Sequence, residues 1–301
     1  MIPLFDLHAD TLGEMYKKKE ALSKNSLHIS YESAKKFIAY VQVMAIWSDF
    51  RLSDDEAYES FFKVLNYARL QGLSFATKLS EIKDRALILA VEDARLLNGD
   101  IARLDTLYQS DVRILTLNWR GESVIGGGWD TENGLTAFGK KAITRAFSLG
   151  IIPDVSHSSI KTAHEAVELA SEQNKPIIAS HSNAYGVFNH KRNLTDELFG
   201  EIKRLGGVVG VSLVPEHLGN DASVSSVLDH IYHFLSLGGE NTVSLGCDFD
   251  GVSSLPREIS GICDLDVLYF ELEKEFGREI ARKIFYQNAY NFFGDHFKKG
   301  A

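Results

Sequence analysis

Eight short apolar runs punctuate the chain, at residues 2–7, 38–47, 85–91, 112–117, 151–155, 176–180, 207–213 and 242–246. Apart from small insertions, a stretch with helical periodicity follows each one. The first long helical pattern starts at a Ser53 cap and runs to about Lys78; Ser53 and Glu56 have capping-box spacing, and Phe61, Phe62, Leu65 and Ala68 share a face. Further helical patterns cover 101–109, 137–149, 160–174, Thr195 to Leu205 and 224–237, and two more at 265–276 and 278–293 close the chain. Strands that alternate with helices must pair in parallel, because the helix is the crossover between them. Eight such units close into a (β/α)8 TIM barrel, an α/β fold. An open doubly wound sheet is the alternative, but it would carry a glycine-rich fingerprint after its first strand, and 6–11 contains no glycine. No linker or break in composition divides the sequence, so residues 1–301 are expected to form a single barrel domain.

In a barrel of this kind the chemistry gathers at the carboxyl ends of the strands. Two of the runs end alike, 151–158 in Val-Ser-His-Ser and 176–182 in Ala-Ser-His-Ser, which sets His157 and His181 on neighbouring strands. The first run ends in His8-Ala9-Asp10, whose i, i+2 spacing places both side chains on one face. Glu92 follows the third run and Asp248 the eighth. Imidazoles mixed with carboxylates, without cysteine, suit Zn2+ or a similar divalent ion. Glu92 stands between the two histidine groups and could bridge two ions through its two oxygens. Ions that share a water lower its pKa from 15.7 to about 7, and Asp248 is the candidate to shuttle its protons. A glycine-rich loop at 121–134 lacks the lysine of a phosphate loop and is expected to form a lid or rim.

The net charge of −9, with no basic tract, argues against nucleic acid as a partner. Two cysteines, Cys247 and Cys263, are too few for a disulfide framework. No run approaches the roughly 20 apolar residues of a membrane span. The expectation is a soluble, cytoplasmic protein without a membrane partner.

Several short segments in order resemble the membrane dipeptidase (renal dipeptidase) family of zinc peptidases, within the amidohydrolase-like metal-dependent barrels. They are Asp6-Leu7-His8-Ala9-Asp10, Val91-Glu92, Leu115-Thr116-Leu117, 134–139, Asp154-Val155-Ser156-His157, 180–184, Arg192-Asn193 and Asp248-Phe249-Asp250-Gly251. The resemblance implies a binuclear zinc site that hydrolyses small dipeptides and tolerates a D-residue at the C-terminal position. It implies that His8 and Asp10 hold one zinc, His157 and His181 the other, and Glu92 bridges them. Asp248 would be the acid/base and Arg192 the receptor for the substrate carboxylate, and a homodimer would be the assembly. Two departures stand out. Asn118-Trp119 occupies the place of a histidine that often polarises the scissile carbonyl, which puts Trp119 against the substrate and leaves Asn118, Arg120 or a zinc to take that role. Asp93-Ala94 replaces glycines after the bridging glutamate, adding a carboxylate near the metals. The Trp119 departure keeps a second reading open, an amide, lactam or ester hydrolase on the same metals; a non-catalytic scaffold is a third, opposed by the presence of all six strand-end candidates.

Overall fold

The computed structural model describes residues 2–299. Seven strands, β1 Ile2–Asp6, β2 Phe37–Trp47, β3 Arg85–Glu92, β4 Val112–Thr116, β5 Ile152–Asp154, β6 Val209–Val211 and β7 Val243–Leu245, pair in parallel in the order β5-β4-β3-β2-β1-β7-β6. The eighth expected strand, 176–180, does not form a continuous ladder. Only Ile178 bridges to Asp154 and Ala179 to Val209, yet those two contacts join the outer strands and close the ring. The reason lies in Asp154, whose buried carboxylate accepts the Ser180 and Ser156 backbone N–H groups at 2.8 and 3.0 Å. That side chain adds to the few backbone bonds the segment keeps, among them Ile178 N to Pro153 O and Val155 N to Ile178 O on one side and Gly210 N to Ala179 O on the other.

The helices on the outside are α1 Thr11–Lys18, α2 Asp54–Leu70, α3 Ile101–Gln109, α4 Ala137–Leu149, α5 Ile160–Glu172, α6 Asp196–Arg204, α7 Pro215–Leu218, α8 Val224–Ser236, α9 Leu265–Arg282 and α10 Asn288–Lys299. The capping box at the start of α2 is formed in both directions, with Glu56 N donating to Ser53 Oγ and Ser53 N to Glu56 Oε2. That helix stops well before Lys78, because Gly72 takes a left-handed φ of 78° and turns the chain. The last two helical patterns are separated where the sequence reading separates them, at Gly277, whose φ of 83° breaks α9; the second then continues through a π turn at Lys283–Gln287 into α10.

Alternate strand residues are buried on opposite faces, as period-two packing requires. Leu4, Tyr40, Met44, Leu89 and Val91 pack with the surrounding helices. Phe5, Val41, Val43, Ile88, Ile114 and Ile178 point into the barrel, where Phe292, Phe293 and Phe297 of α10 meet them. Phe293 stacks on Phe5 with ring centres 5.2 Å apart, and Asn288 donates to the carbonyl of Val243 at the start of β7. The C-terminal helix thus seals the amino-terminal end of the barrel. Only the opposite end is left for polar side chains.

Candidate active site

Asp6 fixes the geometry of the rim. Buried at the end of β1, it accepts the Cys247 N–H at 2.8 Å, the Gln42 side-chain amide at 3.0 Å and the His8 N–H at 3.4 Å, tying the end of β1 to the middle of β2 and to a residue just past β7. His8 and Asp10 follow directly, Glu92 ends β3, His157 follows β5, His181 follows the 176–180 segment, and Asp248 follows β7. The other five gather around Glu92, the three histidines directly and the two aspartates through His8. Its Oε2 lies 3.6 Å from His8 Nε2, and its Oε1 lies 3.1 Å from His157 Nε2 and 3.8 Å from His181 Nε2. His8 Nε2 is also 3.7 Å from Asp10 and 3.9 Å from Asp248. One carboxylate therefore turns one oxygen to a His8–Asp10–Asp248 group and the other to the His157–His181 pair.

The donor set fits divalent ions. The Nε2 atoms of His8, His157 and His181 and Oδ1 of Asp10 are buried with no hydrogen-bond partner, and each such atom costs about 1–3 kcal/mol unless something pairs with it. Three imidazoles and three carboxylates with free lone pairs are what a hard-to-borderline cation would satisfy. His181 is also oriented for it: Ser180 Oγ donates to Asp154 at 2.6 Å and lies 2.8 Å from His181 Nδ1, so the proton sits on Nδ1 and the Nε2 lone pair faces Glu92. Gly251 leaves room for the carboxylates, since a Cβ there would come within 2.3 Å of both Asp10 and Asp248.

Without a cation the electrostatics are uneven. Burial, and then the neighbouring Asp10, push Glu92 up to about 8. Burial raises Asp248 to about 7 against the pull of His8. Burial opposes charge on His8, but Glu92 and Asp10 overrule it and hold its pKa well above the usual value. His157 and His181 are held well below theirs, chiefly by burial and then by the cations Arg192 and His8 respectively. His157 and Asp248 also adopt left-handed backbone, φ 68° and 60°, which is uncommon for residues other than glycine.

The cluster lines one side of a cavity of about 440 Å3. Arg192 reaches the same cavity, buried, with Nη2 donating to the His181 carbonyl at 3.3 Å and Nε without a partner. Burial lowers its pKa to about 10, still fully charged at neutral pH. Trp119 also lines the cavity, its ring 6.2 Å from that of His157 and stacked on Phe50 at 5.4 Å.

Two details differ from the sequence reading. Asn118 is not free to face a substrate, because its amide donates to Gly126 O and Ser123 Oγ at 3.0 and 3.2 Å. Asp93 adds no ligand to the cluster; its carboxylate accepts the Arg95 N–H at 3.2 Å and faces the Arg95 guanidinium at 3.5 Å. The glycine-rich loop is a fixed rim. Gly127 abuts Asn133 and Thr131, where a Cβ would clash within 2.4 Å, and Trp129 N–H donates to the His157 carbonyl.

The sequence reading missed His217, Trp129 and Trp47, all of which line the cavity. His217 sits in the four-residue α7, too short to show a pattern, and burial with Arg192 nearby drives its pKa to about 2. Trp47 reads as the last residue of an apolar strand, with nothing to mark it as a rim residue.

Among solved structures, the dipeptidase AC, a metallo peptidase, matches with a TM-score of 0.91 and 23% identity over 100% of this chain and 99% of the other. A metallo peptidase from Rhodobacter sphaeroides, liganded with a phosphinate mimic of the dipeptide L-Ala-D-Ala, gives 0.89 and 22% over 97% and 98%. Both confirm the barrel fold. An uncharacterized dipeptidase of Schizosaccharomyces pombe is 33% identical over 59% of this chain and 44% of its own. A second from that organism is 28% identical over 62% and 46%, so the chain spans a little under half the length of these two relatives. An uncharacterized protein from Klebsiella pneumoniae, from the pqqA 5' region, is 32% identical over 69% of this chain and 81% of its own. No helix among the described residues is long and apolar enough to cross a membrane. The sequence pattern described as Membrane dipeptidase (Peptidase family M19) matches residues 1–296, and the chain belongs to that family.

Proposed function

We propose that the protein is a zinc-dependent dipeptidase that hydrolyses dipeptides, including those with a D-residue at the C-terminal position. One observation carries the reading: Glu92 presents its two oxygens to two separate groups of unpartnered imidazole nitrogens. His8 and Asp10 would hold one ion, His157 and His181 the other, with Glu92 between them. The ions, once bound, supply the Lewis acidity that makes water nucleophilic at neutral pH and draws electrons from a carbonyl.

The chain's own residues do the rest. Arg192 is a buried, planar cation whose Nε has no partner, suited to receive the substrate's terminal carboxylate. Asp248, at the mouth of the cluster, accepts a proton from the attacking water and passes it to the amine released as the C–N bond breaks. Trp119 covers the substrate from the side of the aromatic wall. The likeness to a structure liganded with an L-Ala-D-Ala mimic supports the stereochemical part of the proposal.

Metal analysis and a kinetic panel of L,L-, L,D- and D,D-dipeptides test it. We expect about two zinc ions per chain and cleavage of L,D substrates. Arg192→Ala should raise KM about a hundredfold with metal content unchanged, because the carboxylate loses a buried charged partner. An unchanged KM would remove Arg192 from the substrate site. A second reading, a lactam, amide or ester hydrolase on the same metals, draws on Trp119 standing where a carbonyl-polarising histidine would be. Cleavage of cyclic amides with dipeptides untouched would favour it.

A further inference from the structure

Beyond the polar cluster, the cavity has a wall that the proposed chemistry leaves unused. It is built by Ile46 and Trp47 at the end of β2, Leu52 in the next loop, Val64 on α2 and Tyr16 on α1. In the closed ring, β2 stands four staves from the segment at Ile178–Ala179 that leads to Arg192. In a barrel of eight staves that is the opposite side.

We infer that this wall is the subsite for the N-terminal side chain of the dipeptide and that it selects a large apolar one, aromatic or branched aliphatic. The inference rests on the dipeptidase reading and deepens it. With its carboxylate on Arg192 and its amide over the histidine–carboxylate cluster, a dipeptide directs its first residue to the β2 side. The wall is apolar and braced: Trp47 meets Trp119 edge-on at 4.9 Å, and Trp119 stacks on Phe50. Such a surface offers burial to a large side chain and little to glycine. The indole N–H of Trp47 is buried without a partner, one donor left for a polar atom of the substrate.

Charge on this side gives a basic side chain no particular advantage. Glu14 and Asp49 both line the cavity, but Glu14 is paired with Lys17 at 2.7 Å and Asp49 is gripped by Arg51 through bonds of 2.9 and 2.5 Å. Neither is a free anion.

The test is kcat/KM of the zinc-loaded full-length protein for Xaa-D-Ala, with Xaa Gly, Ala, Lys, Leu or Phe. Leu and Phe should exceed Gly by about 50-fold, and Lys should not exceed Leu. Leu52→Asp, a loop substitution that places an unpaired anion on the wall, should lower the Phe-to-Lys ratio at least tenfold. Leu52→Ala should cut the Phe-to-Gly ratio about fivefold and covers the case in which the aspartate variant does not fold. Rates equal within threefold across the panel, a wild-type preference for Lys, or ratios unmoved by both substitutions would overturn the subsite and leave the dipeptidase reading standing. Failure to cleave any dipeptide, with zinc bound, would overturn both.

Discussion

The two ends of the barrel are made by the same strands and solve opposite problems. At the amino-terminal end, Phe292, Phe293 and Phe297 of α10 fill the mouth against Phe5, Val41 and Ile88. At the carboxyl end, the same β1 leads into His8 and Asp10, and the buried atoms there lack partners. One end is a closed apolar core, the other a collection of polar groups that the fold by itself leaves unsatisfied. The comparison suggests a division of labour: the sealed end supplies stability, and the strained end holds ligands in place because stability is available from elsewhere.

The sharpest way to break this division is Glu92→Gln. It removes one charge from the hub of the cluster and keeps the shape. The expected outcome is a loss of activity of at least about a thousandfold, with zinc content reduced, while Tm of the metal-free protein stays about equal near pH 7, because without a cation burial already keeps the Glu92 carboxyl protonated there and the amide replaces one neutral group with another of the same shape. Activity and Tm measured on the same metal-free and zinc-loaded samples check it. A steep fall in the metal-free Tm would mean that Glu92 holds the fold together, and the division would fail.

Phe293→Ala is the converse. Phe293 is fully buried and stacked on Phe5, so its removal leaves a cavity and should cost about 3–5 kcal/mol in denaturant unfolding. At a temperature where the variant is folded, kcat/KM should stay within about twofold of the parent. A loss of activity larger than that would show that the two ends are coupled.

How much of each end was legible in the sequence differs in the same way. The polar end was written in local signals: Val-Ser-His-Ser and Ala-Ser-His-Ser each end an apolar run on a histidine, and the structure brings His157 and His181 within 4.8 Å, ring to ring. A strand end is a position that a sequence declares. The sealed end was only partly readable: the break at Gly277 stood in the sequence, but the π turn at Lys283–Gln287 and the packing of α10 into the barrel depend on a mouth that only the assembled strands create. The weakness of the 176–180 strand escaped notice because Asp154, read as the end of one strand, does its hydrogen bonding across to the next. Trp47 and His217 were missed for another reason: lining a cavity is a property of the rim's three-dimensional shape, and neither residue carries a pattern that announces it.

The smallest effect, and the one that separates the two ends most cleanly, is the pH dependence of stability without metal. Glu92, pushed up to about 8, and Asp248, pushed up to about 7, keep protons in the folded protein that they have lost in the unfolded chain. His8, held well above its usual value, does the same above pH 6.5. For all three the native state binds more protons, so stability falls as pH rises from 6.5 to 8. His157 and His181 are held low and act the other way, because only the unfolded chain takes up their protons; that opposing effect is largest below about pH 6.5 and fades above it, so it reduces the decline without reversing it. The metal-free Tm should therefore decline by a few degrees between pH 6.5 and 8, while the zinc-loaded protein, whose carboxylates face a cation, should show no such decline. The apolar side chains that fill the sealed end carry no titratable group and add nothing to the slope. A metal-free Tm that is flat or rising across this window would show that the carboxylates at the open end are already compensated by the protein, and the contrast between the two ends would have to be drawn on packing alone.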